Sequence, residues 1–239
     1  MCGRFAAATP PDELARYFAV HEVAETLLEP RYNVAPTDDV AVVVERDTTR
    51  RLDVFHWGFV PFWAKDPSVG NRMINARAEG LAESNAFRRA FERRRCIVPA
   101  DGFYEWRKVP GRRKKQPVYI RRADGEPMAL AGLWEVWTLK GEDAAPLSTC
   151  TIVTGNPNEL VAPIHDRMPV ILPPSAWDEW LDRQNDDVDA LQRLLVPAPA
   201  EVFSAWSVGT DVNTVGNDGP HLIAPLPEED GEEQPTLFP

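Results

Sequence analysis

From residue 95 to residue 155 the chain is a succession of apolar, β-branched and aromatic segments broken by turn-like interruptions: "RCIVPADGFYEWRKV", "QPVYIRR", "MALAGLWEVWTL" and "LSTCTIVTG". Such segments bounded by Gly, Pro and charged clusters are strand signals. Upstream, "DVAVVVERD" and "LDVFHWGFV" predict two more strands joined by a polar turn. Helical patterns come only before, between and after these blocks, so the order is neither a βαβ alternation nor an internal repeat. It predicts an α+β fold: a curved, mostly antiparallel sheet or barrel core with helices packed outside it.

The helices are short. "ATPPDELARYFAV" predicts one with Thr9 as N-cap, prolines in the first turn and Asp12 or Glu13 near the N-terminal dipole. "AEGLAESNAFRRAFERRR" predicts one or two, with Leu81, Phe87 and Phe91 on one face. Further short helices are expected near "NPNELVAP", "SAWDEWL" and "DVDALQRLL", and a last strand around "EVFSAWSV".

At 239 residues and 44% hydrophobic content the chain can bury a sizeable core. Residues 1–226 are expected to form one domain, and residues 227–239, "PEEDGEEQPTLFP", an acidic disordered tail. No run approaches a membrane span, and the start lacks the basic-then-apolar pattern of an export signal, so a cytoplasmic location is expected. Cys2, Cys96 and Cys150 are odd in number and lack CxxC spacing, and the four histidines show no ligand spacing, which argues against disulfides and metal. Cys96 and Cys150 lie in strand-like segments and are expected to be buried. No nucleotide-binding glycine motif occurs, so no cofactor is expected.

The net charge of −11 argues against a nucleic-acid partner until its distribution is considered. Residues 185–239 carry eleven acidic side chains against one arginine, whereas residues 88–122 carry thirteen Lys/Arg against three acidic residues. An acidic protein with a strongly basic middle can still attract a nucleic-acid strand locally.

The chain begins "MCGRFA". Removal of Met1 would leave Cys2 with an α-amine, of unperturbed pKa about 7.7–8.0, and a thiol, about 8.5, on adjacent carbons. An aldehyde could form a Schiff base with the amine and then accept the thiolate at the same carbon, closing a five-membered thiazolidine.

Other stretches place polar groups where core packing does not require them. "RYNVAPT" brackets an extended loop with Asn33 and Pro36. "VFHWGFVPFWAKD" holds Trp57 and Trp63 near a bend, for which a core reading suits both. In "MINARAE" the residues Asn75, Arg77 and Glu79 share one face if extended. There Asn75 could hold an amine or carbonyl, and Arg77 either a phosphate or Glu79. Glu105 lies between Tyr104 and Trp106, where desolvation would raise its pKa into a range useful for acid–base work, and Trp106 could stack on a base. "APIHDRMPVIL" sets His165 and Arg167 between apolar runs, as suits an anionic substrate.

Taken in order, "MCGRF", "RYNVAPT", "WGFVPFWAKD", "NARAE", "GFYEW", "HDRMPVIL" and "VNTVGNDGPHLIAPL" resemble the SOS response-associated peptidase family, which processes abasic sites; the resemblance runs from Met1 to about Pro225. It implies binding of single-stranded DNA containing abasic sites and a covalent DNA–protein crosslink through Cys2, made by a protein that can act as a monomer without metal or cofactor and that joins the nucleoid when bound. The thiazolidine would shield the lesion from strand cleavage. The resemblance gives Cys2 the role of nucleophile, has Asn75 hold its reactive end, and assigns proton transfer to Glu105 and His165. Arg4, Arg77 and Arg167 would hold phosphates, Trp106 would stand against a base, and Asn33 and Pro36 would belong to the DNA-binding surface. The family name implies removal of Met1, by the protein itself or by a methionine aminopeptidase. Two other readings compete: an N-terminal-nucleophile amidohydrolase, whose glutamine-binding motifs are not found, and a non-catalytic single-strand binder.

Overall fold

The computed structural model describes residues 2–25, 28–139 and 145–227. In chain order they form β1 (Phe5–Ala7), α1 (Pro11–Tyr17), β2 (Glu22–Val23), β3 (Arg31–Val34), β4 (Asp39–Arg46), β5 (Thr49–Trp57), β6 (Asn75–Arg77), α2 (Arg88–Arg93), β7 (Arg95–Ala100), β8 (Gly102–Arg107), β9 (Gln116–Arg122), β10 (Met128–Trp137), β11 (Leu147–Gly155), β12 (Met168–Pro169), α3 (Trp177–Leu181), α4 (Val188–Arg193) and β13 (Phe203–Ser207). The fold is α+β with mostly antiparallel pairing, as the order of segments predicts.

Two sheets share the strands. One runs β13-β9-β8-β1-β3; the other runs β12-β11-β10-β7-β4-β5-β2. The second closes on itself, because β5 also pairs with β11 in parallel through Thr149↔His56 and Cys150↔Trp57. Five strands, β11-β10-β7-β4-β5, thus make a ring that leaves no open edge between them. β7 and β8 are nearly one strand that passes from the ring into the other sheet at Asp101. Gly102 stands at that crossing because a Cβ there would lie 2.3 Å from the Tyr119 ring.

Strand alternation sorts the core into two layers. Val40, Val42 and Val44 of β4 pack with Cys2, Phe5, Trp57, Phe103 and Ile120, joining the two sheets. Val43, Leu52, Ile97 and Leu133 face the other way and pack with Leu14, Phe91, Trp180 and Leu191 of the helices. The β4–β5 turn places Asp47 and Thr48 both at positive φ, the backbone of a type I′ hairpin turn, whose twist matches the flanking strands. Arg95, 1% exposed, has no ion pair with a described carboxylate and instead donates to the carbonyls of Phe91, Glu92, Trp180, Asp182 and Asn185, tying the end of α2 to the end of α3. Burial lowers its pKa to about 10, so it remains charged at neutral pH.

Local expectations fail where a tertiary partner competes. Thr9 does not cap α1; Pro10 occupies that position without a side-chain cap. Asp101 instead binds the amides of Ala8 and Thr9 and the Thr9 hydroxyl. The "NPNELVAP" stretch makes turns rather than a helix. There the Asn158 Oδ1 accepts the Val161 amide and its Nδ2 donates to Ala198. The expected disordered tail lies outside the described residues save for its first residue. Among the described residues no helix is long and apolar enough to cross a membrane, and no His, Cys, Asp or Glu cluster is gathered that could hold a metal ion.

Candidate functional site

Cys2 is fully buried and packs in the layer between the two sheets. Its carbonyl accepts a hydrogen bond from Asn75 Nδ2 at 2.8 Å. β6, which carries Asn75, is held by parallel pairing with β11 (Ile152↔Asn75), so the side chain comes from a fixed backbone. Asn75 Oδ1 is also buried and has no hydrogen-bond partner among the described residues, which leaves an acceptor in place close to Cys2.

The Cys2 thiol is not activated in this state. Burial pushes its pKa up to about 12, and the nearby Glu105 carboxylate adds to the shift. Glu105 projects from β8, is 2% exposed, and is itself pushed above the ordinary carboxylate range by burial, with His165 pulling the other way. The structure therefore brings together Cys2, Asn75, Glu105 and His165, which are spread over the sequence from position 2 to position 165. A thiol, a carboxyl of raised pKa and an imidazole thus lie in one neighbourhood.

His165 Nδ1 accepts the Arg167 amide at 3.0 Å, which places the imidazole proton on Nε2. The Asp166 carboxylate lies 2.9 Å from the same nitrogen and becomes its partner only when Nδ1 is protonated. Arg167 holds Glu79 with two hydrogen bonds of 2.6 and 2.9 Å and also donates to the Thr154 carbonyl. The fork fits the carboxylate in the bidentate manner favoured by guanidinium groups. Glu79 thus pairs with Arg167 rather than with Arg77, because the chain turns into a 3-10 turn at Ala78–Gly80 and the strand-like alternation stops at Arg77. Arg77 is exposed and has no ion pair with a described residue.

Arg4 and Asn33 form an internal brace. Asn33 is fully buried; its Oδ1 accepts from Arg4 at 2.7 Å, and its Nδ2 donates to the carbonyls of Val212, Thr214 and Asn217. Arg4 also donates to the Val212 carbonyl at 2.7 Å and lies 6.0 Å from the centre of the Trp106 ring. The Trp106 indole N–H donates to Asn213 Oδ1 at 2.7 Å. The side chain of Asn33 is thus turned inward, and it acts on any surface through the 210–217 loop. Pro36 is partly buried, just before Thr37 at positive φ. Asn213 carries no role in the sequence reading; the signal for it was the "VNTVGNDGP" stretch, whose function only the fold reveals.

Of the two tryptophans expected in the core, Trp57 is fully buried, with its N–H on the Ile74 carbonyl, whereas Trp63 is 53% exposed beside Phe62 at 47%. The bend after Pro61 turns that pair outward, and the Trp137 indole anchors the bend through the Ala64 carbonyl.

Comparisons with known proteins identify the family. Residues 1–215 match the family model described as SOS response associated peptidase (SRAP). The abasic site processing protein YoqW of Bacillus subtilis (strain 168) is 42% identical over 224 residues, covering 93% of this chain and 99% of that one. The abasic site processing protein YedK of Escherichia coli (strain K12) is 35% identical over 231 residues, covering 95% and 100%. A crystal structure of a Bacteroides thetaiotaomicron protein superposes with a TM-score of 0.84 at 25% identity, covering 94% of this chain and all of that one. With the family model spanning residues 1–215 and a relative 42% identical over nearly the whole of both chains, this chain belongs to the SOS response-associated peptidase family.

Proposed function

We propose that the protein processes abasic sites in single-stranded DNA by capturing the ring-opened sugar on Cys2 after Met1 is removed. The observation that carries this reading is the hydrogen bond from Asn75 Nδ2 to the Cys2 carbonyl, which fixes the backbone of the second residue while the Oδ1 of the same side-chain amide is left to accept from a new amine. Relatives named abasic site processing proteins support the substrate.

The proposed steps use groups already described. The freed α-amine attacks the sugar aldehyde; the carbinolamine hydroxyl takes a proton and leaves as water, giving an imine. The Cys2 sulfur then adds to the imine carbon. Its proton passes through the adjacent carboxylate, and the imine nitrogen becomes the secondary amine of the thiazolidine. Glu105 supplies the proton for water loss and takes the one released by the thiol, a two-way task suited to a raised pKa. His165 relays protons beside it. Burial opposes a standing thiolate, so sulfur attack proceeds by proton removal at the moment of addition.

On the DNA side the exposed Arg77 meets a phosphate. Arg4 and Arg167 border the path while holding Asn33 and Glu79, and Trp106, fixed by Asn213, offers its ring to a base. Pro36 belongs to the same proposed DNA-binding surface.

The test is to mix Met1-free protein with an oligonucleotide carrying one abasic site and to weigh the product after denaturation. A stable adduct formed without borohydride and absent in Cys2→Ala is the expected result. No adduct from protein proven to start at Cys2 would overturn the reading, and glutamine hydrolysis by that same protein would put an amidohydrolase in its place.

A further inference from the structure

The β8–β9 hairpin has a second chemically distinct end. β8 carries Glu105 and Trp106, and the register Trp106↔Pro117 and Arg107↔Gln116 closes the ladder just beyond them. The eight residues that follow, 108–115, read KVPGRRKK. Lys108, Arg112, Arg113, Lys114 and Lys115 are all exposed. They curl around an open concavity of about 440 Å³ lined by these five side chains with Val109 and Pro110.

This loop is held in shape. Pro110 and Gly111 occupy the centre of a turn closed by the Arg112 amide on the Val109 carbonyl at 3.1 Å, with Gly111 at φ +75, the arrangement of a type II turn. Its base is tied to the neighbouring strand, where Gln116 donates to the Val208 carbonyl at 2.8 Å and Arg107 to the Ser207 hydroxyl at 3.2 Å.

The charge of the loop is uncompensated in a molecule rich in acid. Several arginines elsewhere have carboxylates: Arg31 with Asp38, Arg50 with Asp178, Arg51 with Glu22, Arg93 with Asp186 and Arg167 with Glu79. None of the five basic side chains of the loop is in an ion pair with a described residue, although the chain holds 37 Asp and Glu. Five adjacent cations repel one another, and a concave arrangement without counter-charge is satisfied by a polyanion. The loop has no aromatic side chain, so it offers no ring on which bases could stack in succession, and its chief asset is charge.

We infer that this basic cup is a second nucleic-acid contact, one that grips the phosphodiester backbone of the strand flanking the site of chemistry, without reading bases and without taking part in capture. The inference rests on the DNA-binding reading above. Because the loop leaves the ladder one residue past Trp106, a strand stacked at Trp106 is led directly to it. The division of labour is physical: Trp106 and Arg77 place the nucleotide at Cys2, while the cup adds counterion-release affinity that is indifferent to sequence.

The test is a salt titration of binding to a lesion-free single-stranded oligonucleotide, comparing the whole protein with a variant carrying Lys108→Gln, Arg112→Gln, Arg113→Gln, Lys114→Gln and Lys115→Gln together. For single strands each lost phosphate contact lowers the slope of log K against log salt by about 0.7. Loss of three contacts would therefore reduce the slope by about 2 and weaken binding by roughly tenfold or more at low salt. Adduct yield at saturating abasic DNA is expected to stay the same. An unchanged slope in a folded variant overturns the proposal. So does a variant that keeps DNA affinity but loses binding to a glutamate-rich peptide, which would make the cup a protein-docking site. Since the oligonucleotide has no lesion, failure of covalent capture leaves this measurement intact, and the two readings fall separately.

Discussion

Asn75 reaches across 73 positions of sequence to donate a 2.8 Å hydrogen bond to the Cys2 carbonyl. One strand residue thereby fixes the position of the residue expected to become the N-terminus. The pairing of β6 with β11 and the location of Cys2 between the sheets make the contact a property of the fold rather than of a flexible end.

Asn75→Ala removes both the donor to Cys2 and the unsatisfied acceptor. The expected outcome is a loss of about 10- to 100-fold in the rate of adduct formation, the size of one or two positioning hydrogen bonds, with little change in DNA affinity. Single-turnover crosslinking against a binding titration separates the two. An equal loss in both would show that the side chain holds DNA and not the N-terminus.

Glu105 makes stability depend on pH in a stated direction. Burial raises its pKa in the folded state, so folding favours the protonated carboxyl. The stability tied to it is complete below the unfolded value of about 4.3 and is lost as pH rises through the higher folded value. Glu105→Gln should therefore match the wild type in Tm near pH 4 and exceed it near pH 8, while adduct formation falls. A variant less stable at pH 8 would mean that the charged form is favoured by its neighbours in the folded state.

All three cysteines are buried, and burial raises each thiol pKa. Native protein that retains Met1 should resist iodoacetamide at pH 7.5, and unfolded protein should take three labels, as counted by intact mass. Rapid native labelling at Cys2 would show that the N-terminal segment opens in solution.

Asn33→Ala leaves the carbonyls of Val212, Thr214 and Asn217 and the Arg4 guanidinium without their shared partner. A loss of about 1–3 kcal/mol is expected in chemical denaturation. Faster proteolysis within residues 210–217 should accompany it. DNA binding should weaken as well, because Trp106 is held by Asn213 of the same loop.

Arg95→Met would remove five donors to backbone carbonyls at the ends of α2 and α3 while nearly filling the same volume. Orphaned buried acceptors cost about 1–3 kcal/mol each at most, with relaxation reducing the sum, so a drop of a few kcal/mol in unfolding free energy is expected. A neutral result would show that water replaces the guanidinium.

The strands were legible in the sequence because alternation and β-branched runs are local properties: β4, β5 and β7 to β11 lie where the apolar segments predict them. The motif residues Cys2, Asn75, Glu105 and His165 were legible as chemistry-bearing types, and their order carried the family resemblance. Their meeting was implied only by that resemblance and not by any local signal, since nothing local brings residues 2, 75, 105 and 165 to one place. The parallel pairing of β5 with β11 closes the ring, and β7 continues into β8 to deliver Glu105 beside Cys2. Tertiary structure also decided which polar groups have partners. Glu79 pairs with Arg167 instead of Arg77, Asp101 takes Thr9 from its helix, Asn33 turns inward, and Trp63 turns out to solvent. A polar side chain bonds to whatever packing places within about 3 Å, and in a fold built on long-range strand pairing those neighbours come from distant parts of the chain.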